Sequence, residues 1–323
     1  MPLSYHPVAA RPAPLPAGLA ELERTAVMGI CNLTPDSFSD GGRWLEPAAA
    51  LAHCQRMLAE GADLIDLGGE STRPGAARIS LDEELRRVVP MVGELAGRGV
   101  AVSVDTMRAA VAAAAAAAGA AVINDVSGGL ADPEMFRVMA EADLPVVLTH
   151  WRGHSDQMDR LDAYGDVVAE VEAELAGRVE AALAAGIAPG RIVLDPGFGF
   201  AKTGDSNWPL LARLDRLEEL GFPLLIGASR KRFLNAVRGP DPRLAARGPA
   251  GRDAATAAVT ALSAAAGVWC VRVHAVAANA AAVRVAAQAA RAVEMPSQTA
   301  NDPAAGKPDR QTSAGRRDGS MIA

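Results

Sequence analysis

The sequence predicts an α/β protein, a single-domain (β/α)8 barrel of the TIM type. Two observations predict it. Eight short runs rich in Val, Ile and Leu lie at 26–31, 63–67, 100–104, 121–124, 145–149, 191–194, 223–226 and 268–273, and helical patterns separate them. The runs do not alternate apolar with polar residues, as expected of parallel strands covered on both faces. Together they fill residues 25–293, close to the length of about 250 residues that one such barrel uses. A doubly wound open sheet is the alternative. It would usually carry a GxGxxG turn after its first strand, and none follows Cys31.

The elements follow in order. The first strand leads through a polar loop to a helix at 47–60, and further helices are expected at 82–95, 107–118, 164–185, 252–266 and 276–292. Gly61, Gly99, Gly119 and Gly186 each sit after a helix and before the next strand, where a left-handed residue closes the helix. Asp132-Pro133 reads as an N-cap followed by the first helical residue. A short helix is expected at 231–237, opened by Ser229-Arg230-Lys231-Arg232. Residues 1–24, rich in Pro and Ala without periodicity, are expected to form a flexible extension. Residues 294–323 are polar and are expected to be a disordered tail.

Composition excludes several classes. The chain has 323 residues and is 50% hydrophobic, enough for a core that needs no disulfide or structural metal. A net charge of −6 leaves no general electrostatic footprint for nucleic acid. The three cysteines form no CxxC pair, so neither a zinc site nor a disulfide framework is signalled. The alanine run 112–118 is too short to cross a membrane. No basic segment precedes an apolar one near Met1, so the expected compartment is the cytoplasm.

Chemistry in this fold sits at the C-terminal strand ends. Those ends read Asn32, the segment 68–75, Asp105-Thr106, Asn124-Asp125, His150, Asp195-Pro196-Gly197, Ser229-Arg230-Lys231 and Arg272-Val273-His274. Nearly every strand ends in a polar or charged group, which a purely structural barrel does not need. Asp105, Asn124 and Asp195 converge on the mouth and suit a heterocycle with adjacent N–H donors, such as a 2-aminopyrimidinone edge. Helix capping is the competing reading for Asp105, and the expected role of Asp125. Asn32, Arg272 and His274 end the first and last strands, neighbours in a closed barrel. Arg and His donate well to phosphate oxygens, and an amide oxygen can ligate Mg²⁺ beside phosphate. The helix start after Ser229 is a candidate anion site. Two polar loops, 34–42 and 68–78, are candidate lids.

These segments resemble a known family. Met28-Gly29-Ile30 with Asn32, then Thr34-Pro35-Asp36-Ser37-Phe38-Ser39-Asp40-Gly41-Gly42, is similar to the first signature of the dihydropteroate synthase family. Asp66-Leu67-Gly68-Gly69-Glu70-Ser71-Thr72-Arg73-Pro74-Gly75 resembles the second. Ser103-Val104-Asp105-Thr106, Asn124-Asp125-Val126-Ser127-Gly128, Asp195-Pro196-Gly197-Phe198-Gly199-Phe200 with Lys202, Ser229-Arg230-Lys231 and Arg272-Val273-His274 follow in the family's order.

The resemblance implies an enzyme that joins 6-hydroxymethyl-7,8-dihydropterin diphosphate to p-aminobenzoate, releasing diphosphate and giving 7,8-dihydropteroate. It implies Mg²⁺ as cofactor, Asn32 as its ligand, and a homodimer. By resemblance, Asp105, Asn124, Asp195 and Lys231 bind the pterin, and Arg272 and His274 bind the diphosphate. Thr72 and Arg73 match substrate-contacting positions. Phe38 and Pro74 lie near the p-aminobenzoate pocket, where sulfonamides compete. Asp40, Thr72, Arg73 and Lys231 are the expected catalytic residues, with Asp40 stabilising cationic character on the pterin methylene. The helix start after Ser229 is expected to receive the benzoate carboxylate.

Two positions depart from the family. Ala275 stands where it usually has Asp, and Thr149 where it usually has Met. They leave room for a degenerate, non-catalytic paralogue. A pterin-dependent methyltransferase is the other rival, and it would need neither the diphosphate corner nor the first loop.

Overall fold

The computed structural model describes residues 6–8, 10–34, 47–70, 78–154, 160–237 and 239–294. Its strands are β1 (Ala26–Asn32), β2 (Leu64–Gly68), β3 (Val102–Asp105), β4 (Val122–Asp125), β5 (Val146–Thr149), β6 (Ile192–Asp195), β7 (Leu225–Ile226) and β8 (Cys270–Val273). All are parallel, in the order β6-β5-β4-β3-β2-β1-β8-β7. A parallel bridge from Leu194 to Leu224 joins the two ends, and Leu194 N–H donates to the Pro223 carbonyl at 2.9 Å. The ring is therefore a (β/α)8 barrel, and the open-sheet alternative is excluded.

The helices are α1 (Ala17–Ala20), α2 (Pro47–Glu60), α3 (Leu81–Gly97), α4 (Ala109–Ala117), α5 (Met135–Ala142), α6 (Val167–Ala184), α7 (Asn207–Ala212), α8 (Leu214–Glu218), α9 (Pro242–Ala246), α10 (Asp253–Ala265) and α11 (Val276–Glu294).

Strand alternation positions the site. Met28, Leu64, Val122, Val147, Val193, Leu225 and Cys270 pack together inside the barrel. Ile65, Leu67, Val104, Ile123, Leu148, Leu194 and Val271 face the helices in a second, larger core. Both faces are apolar, so period two is invisible along each run. Two residues beyond the inward apolar layer, on the same faces, stand Asp66, Asn124, Thr149, Asp195 and Arg272. The barrel thus changes from apolar to polar along its axis.

The N-terminal segment differs from the expected flexible extension. Leu19 is buried against the lower barrel layer, with Val8, Leu15 and Leu22 packed around it. His6 N–H donates to the Ala265 carbonyl at 2.9 Å, and Ala13 N–H to that of Gly190 at 2.8 Å. Val8, Leu15, Leu19 and Leu22 together cover this end of the barrel interior. The expected tail lies outside the described residues from residue 295 on.

Helix starts also differ. Asp132 does not open the helix at Pro133, since α5 begins at Met135. Its Oδ1 accepts from Glu134 N–H at 3.0 Å, and its Oδ2 accepts from Ala109 N–H at 2.9 Å. One carboxylate thereby also covers an orphan N–H at the start of α4. Asp166 caps α6, accepting from Val168 and Ala169 N–H. The helix expected from Lys231 is a 3-10 helix, Arg232–Val237.

Ala275 immediately precedes α11, and its carbonyl accepts from Asn279 Nδ2 at 2.7 Å. It offers no side-chain oxygen to the first turn. Ala275→Asp is expected to stabilise the protein by about 1 kcal/mol through an N-cap. Urea unfolding checks this, and an unchanged midpoint would mean the position is idle.

Candidate active site

Backbone register assembles the mouth. Asn32 pairs with Gly68 across β1 and β2, Gly68 with Asp105, and Asp105 with Asn124. On the far side Thr149 pairs with Asp195. Residues distant in sequence thus form one row around the rim.

Beneath the row lies Asp66, fully buried and not anticipated as a site residue. Ser103 Oγ donates to its Oδ1 at 2.6 Å. Asn124 Nδ2 donates to the same oxygen at 3.3 Å. Arg272 Nε donates to Oδ2 at 2.6 Å, and Arg272 Nη2 reaches Asp105 Oδ2 at 2.6 Å. Arg272 therefore bridges two carboxylates. Burial opposes its charge, but Asp66 and Asp105 outweigh burial and raise its pKa. Burial pushes Asp105 up to about 7 against the pull of Arg272.

Two polar atoms near this network have no hydrogen-bond partner among the described residues. They are Asn124 Oδ1 and Thr149 Oγ1, both buried. With its Nδ2 held by Asp66, the Asn124 amide can only accept at Oδ1. Asp195 is arranged similarly. Its Oδ1 accepts from Gly197 N–H at 2.7 Å, and burial raises its pKa. A Cβ on Gly227 would stand 3.3 Å from Oδ2, so glycine there keeps the space beside that oxygen open. Gly197 itself has φ +67°, and a Cβ on it would meet the His150 carbonyl oxygen at 2.3 Å. Only glycine permits that turn.

Lys231 turns inward, with Nζ 3.6 Å from the Phe200 ring centre. Burial pulls its pKa down to about 8. Its neighbour Arg230 is bound to Asp253 at 2.7 and 2.9 Å and takes no part. Ser229 Oγ accepts from His274 N–H at 3.1 Å and is hydrogen-bonded to His274 Nδ1 at 3.0 Å.

The structure brings Asn32, Asp105, Asn124, Asp195, Lys231, Arg272 and His274 to one mouth. Arg272 and His274 share a face, as their spacing implies, yet Arg272 is already engaged by carboxylates at Nε and Nη2. The capping alternative for Asp105 fails, because Thr106 Oγ1 accepts from Arg108 N–H at 3.2 Å instead. Asp125 caps no helix. It closes the turn after β4, accepting from Ser127 and Gly129 N–H. Phe38, Asp40, Thr72, Arg73 and Pro74 lie outside the described residues.

Among the described residues no group of three or more His, Cys, Asp or Glu side chains could hold a metal. A single amide oxygen still fits Mg²⁺, which keeps waters and takes substrate phosphates. A Cβ on Gly68 would lie 3.6 Å from Asn32 Oδ1 and 3.7 Å from Asp105 Oδ2. Glycine there leaves an oxygen-lined corner that a side chain would otherwise fill.

Known proteins resemble this chain. Residues 28–274 match the pterin binding enzyme family. The dihydropteroate synthase of Mycobacterium leprae is 53% identical over 261 residues, covering 80% of this chain and 91% of that protein. The Xanthomonas albilineans dihydropteroate synthase solved with 4-aminobenzoic acid superimposes with a TM-score of 0.76 at 46% identity, covering 84% of this chain and 94% of that one. The same enzyme in complex with 7,8-dihydropteroate gives 0.73 at 44% identity, covering 84% and 95%. The chain belongs to the pterin-binding enzyme family and, within it, to the dihydropteroate synthases.

Proposed function

We propose that the barrel mouth binds 6-hydroxymethyl-7,8-dihydropterin diphosphate and joins its methylene to the amine of p-aminobenzoate. The methylene C–O bond breaks, diphosphate leaves, a C–N bond forms and the amine gives up a proton. The observation that carries this reading is the set of buried acceptors, Asn124 Oδ1 and Asp195 Oδ2, on one rim. A pterin presents a 2-amino group and ring N–H donors that would satisfy them. Thr149 adds a hydroxyl where the family usually has Met.

Lys231 lies over the Phe200 face and donates to the ring system. His274 would face the departing diphosphate, and Arg272 keeps Nη1 off both of its carboxylates for the same task. Mg²⁺ held by Asn32 and the diphosphate would supply neutralising charge to the leaving group. Asp40, Thr72 and Arg73 are proposed to complete the site from the two loops, with Phe38 and Pro74 shaping the amine pocket. The family resemblance supports a homodimeric, cytoplasmic enzyme, and no described helix is long and apolar enough to cross a membrane.

Lys231 predicts a pH dependence. Below about 8 its amine is charged, and above that value the charge is lost. The kcat/KM for the pterin diphosphate is expected to fall as pH rises through this range. A flat profile across it would remove the ammonium from substrate binding.

The functional test is an assay of purified protein that follows dihydropteroate and diphosphate together. Product requiring both substrates and Mg²⁺ is expected. Binding of pterin diphosphate without product would overturn the reading, leaving a degenerate paralogue with Ala275 and Thr149 as the positions to restore.

A further inference from the structure

A buried lysine lies outside the substrate-facing rim. Lys202 is 2% exposed. Its Nζ contacts His150 Nδ1 at 2.8 Å, the Gly197 carbonyl at 3.2 Å and the Phe200 carbonyl at 3.1 Å. His150 Nε2 in turn meets Glu174 Oε2 at 2.9 Å. Arg152 bridges Glu174 and Glu170.

The proton count of this chain closes. Burial pulls His150 down to about 4, so the ring is neutral near pH 7 and carries one N–H. The Glu174 carboxylate can only accept, so that N–H is on Nε2 and Nδ1 presents a lone pair. Burial pulls the Lys202 amine down to about 7, yet an ammonium has three donors and Lys202 faces three acceptors, so the geometry fits the charged form. A neutral amine would point its lone pair at one of them.

Two of the acceptors, the Gly197 and Phe200 carbonyls, belong to the loop after β6, and that loop cradles Lys231. Phe200 places its ring under Lys231 Nζ at 3.6 Å. Gly199 lets the Lys231 stem approach, since a Cβ there would meet Lys231 Cδ at 2.9 Å. Between Phe200 and Lys202 stands Ala201 with φ +46°, a left-handed conformation that is unfavourable for a residue with a Cβ. The Lys202 side chain folds back across that residue onto Gly197 and Phe200 and holds it there.

We propose that Lys202 is a positioning residue. Anchored by His150 and Glu174, its ammonium locks the strained turn at Ala201 and so fixes the Phe200 ring that aims Lys231 at the substrate. Lys202 touches no substrate itself. The role rests on the assignment of Lys231 to pterin binding.

A double-mutant cycle tests it. Wild type, Lys202→Met, Phe200→Leu and the double variant are compared for kcat and for KM of the pterin diphosphate. Each single change is expected to raise KM about tenfold, with kcat less affected, and the double variant should be no worse than the poorer single. Multiplying effects, or an unchanged KM in Lys202→Met, would overturn the proposal. A purely structural role would lower stability and leave the two effects independent. If Lys202→Met does not fold, Glu174→Ala replaces it in the same cycle, since it frees His150 to take the other tautomer. If wild type makes no product, calorimetric binding of pterin diphosphate to the same proteins reads the coupling. Failure of the assigned reaction is then distinct from failure of the Lys202 role.

Discussion

Asp66→Ala is expected to destabilise the barrel by about 3–5 kcal/mol, the range for breaking a buried ion pair from one side. Asp66 is wholly buried and accepts from Ser103, Asn124 and Arg272. Alanine leaves the Arg272 Nε–H and the Ser103 hydroxyl without that acceptor. Arg272 keeps Asp105 and is 14% exposed at its side chain. Partial rehydration from the mouth therefore places the loss within that range rather than above it. Asn124 also loses the partner that sets its amide, so Oδ1 is no longer presented to a ligand. Urea unfolding measures the loss. A change below about 1 kcal/mol would contradict the account of the network as one interdependent unit.

Asp195→Asn should have the opposite profile, with a large loss of activity and little loss of stability. The carboxylate uses Oδ1 on Gly197 N–H and keeps Oδ2 for the ligand. Asparagine has one acceptor oxygen. Either its NH2 faces Gly197 N–H or it faces the pterin donors, and both are donor-to-donor encounters. Losing a charge-assisted bond and leaving a buried donor unpaired together amount to about 3–4 kcal/mol, or roughly 10²–10³ in kcat/KM.

Stability follows a different sign. Burial raises the Asp195 pKa in the folded protein, so above the ordinary carboxylate range the unfolded chain is ionised at lower cost. The charged form therefore detracts from stability near neutral pH, and a neutral residue removes that burden. An unchanged or slightly raised unfolding midpoint is expected. A drop beyond about 1 kcal/mol would show Asp195 to be structural.

The barrel and its rim were legible because each strand announces itself as an apolar run ending in a polar residue. Asn32, Asp105, Asn124 and Asp195 were found in this way, and Arg272 through its spacing to His274. Asp66 and Ser103 were not, since each sits inside an apolar run rather than at its end. Counting inward by twos from Leu64 would have placed Asp66 in the polar layer, but both faces of these strands are apolar and no alternation marks which is inner. The engagement of Arg272 by Asp66 and Asp105 joins residues more than 160 apart, and no local pattern encodes it. The floor plug was hidden by the Pro and Ala around Leu15, Leu19 and Leu22. The helix after Ser229 became 3-10, and the expectation that it binds the benzoate carboxylate lost its helical basis, since so short a turn carries little dipole.

The central claim is that the buried acceptors on the rim read the donor edge of a pterin. Calorimetric titration tests it most directly, using the pterin diphosphate and its analogue without the 2-amino group on wild type and Asp195→Asn. Wild type should bind the analogue at least about tenfold more weakly. Asp195→Asn should bind both ligands weakly and equally. Equal discrimination by the two proteins would place the 2-amino group elsewhere and contradict the account.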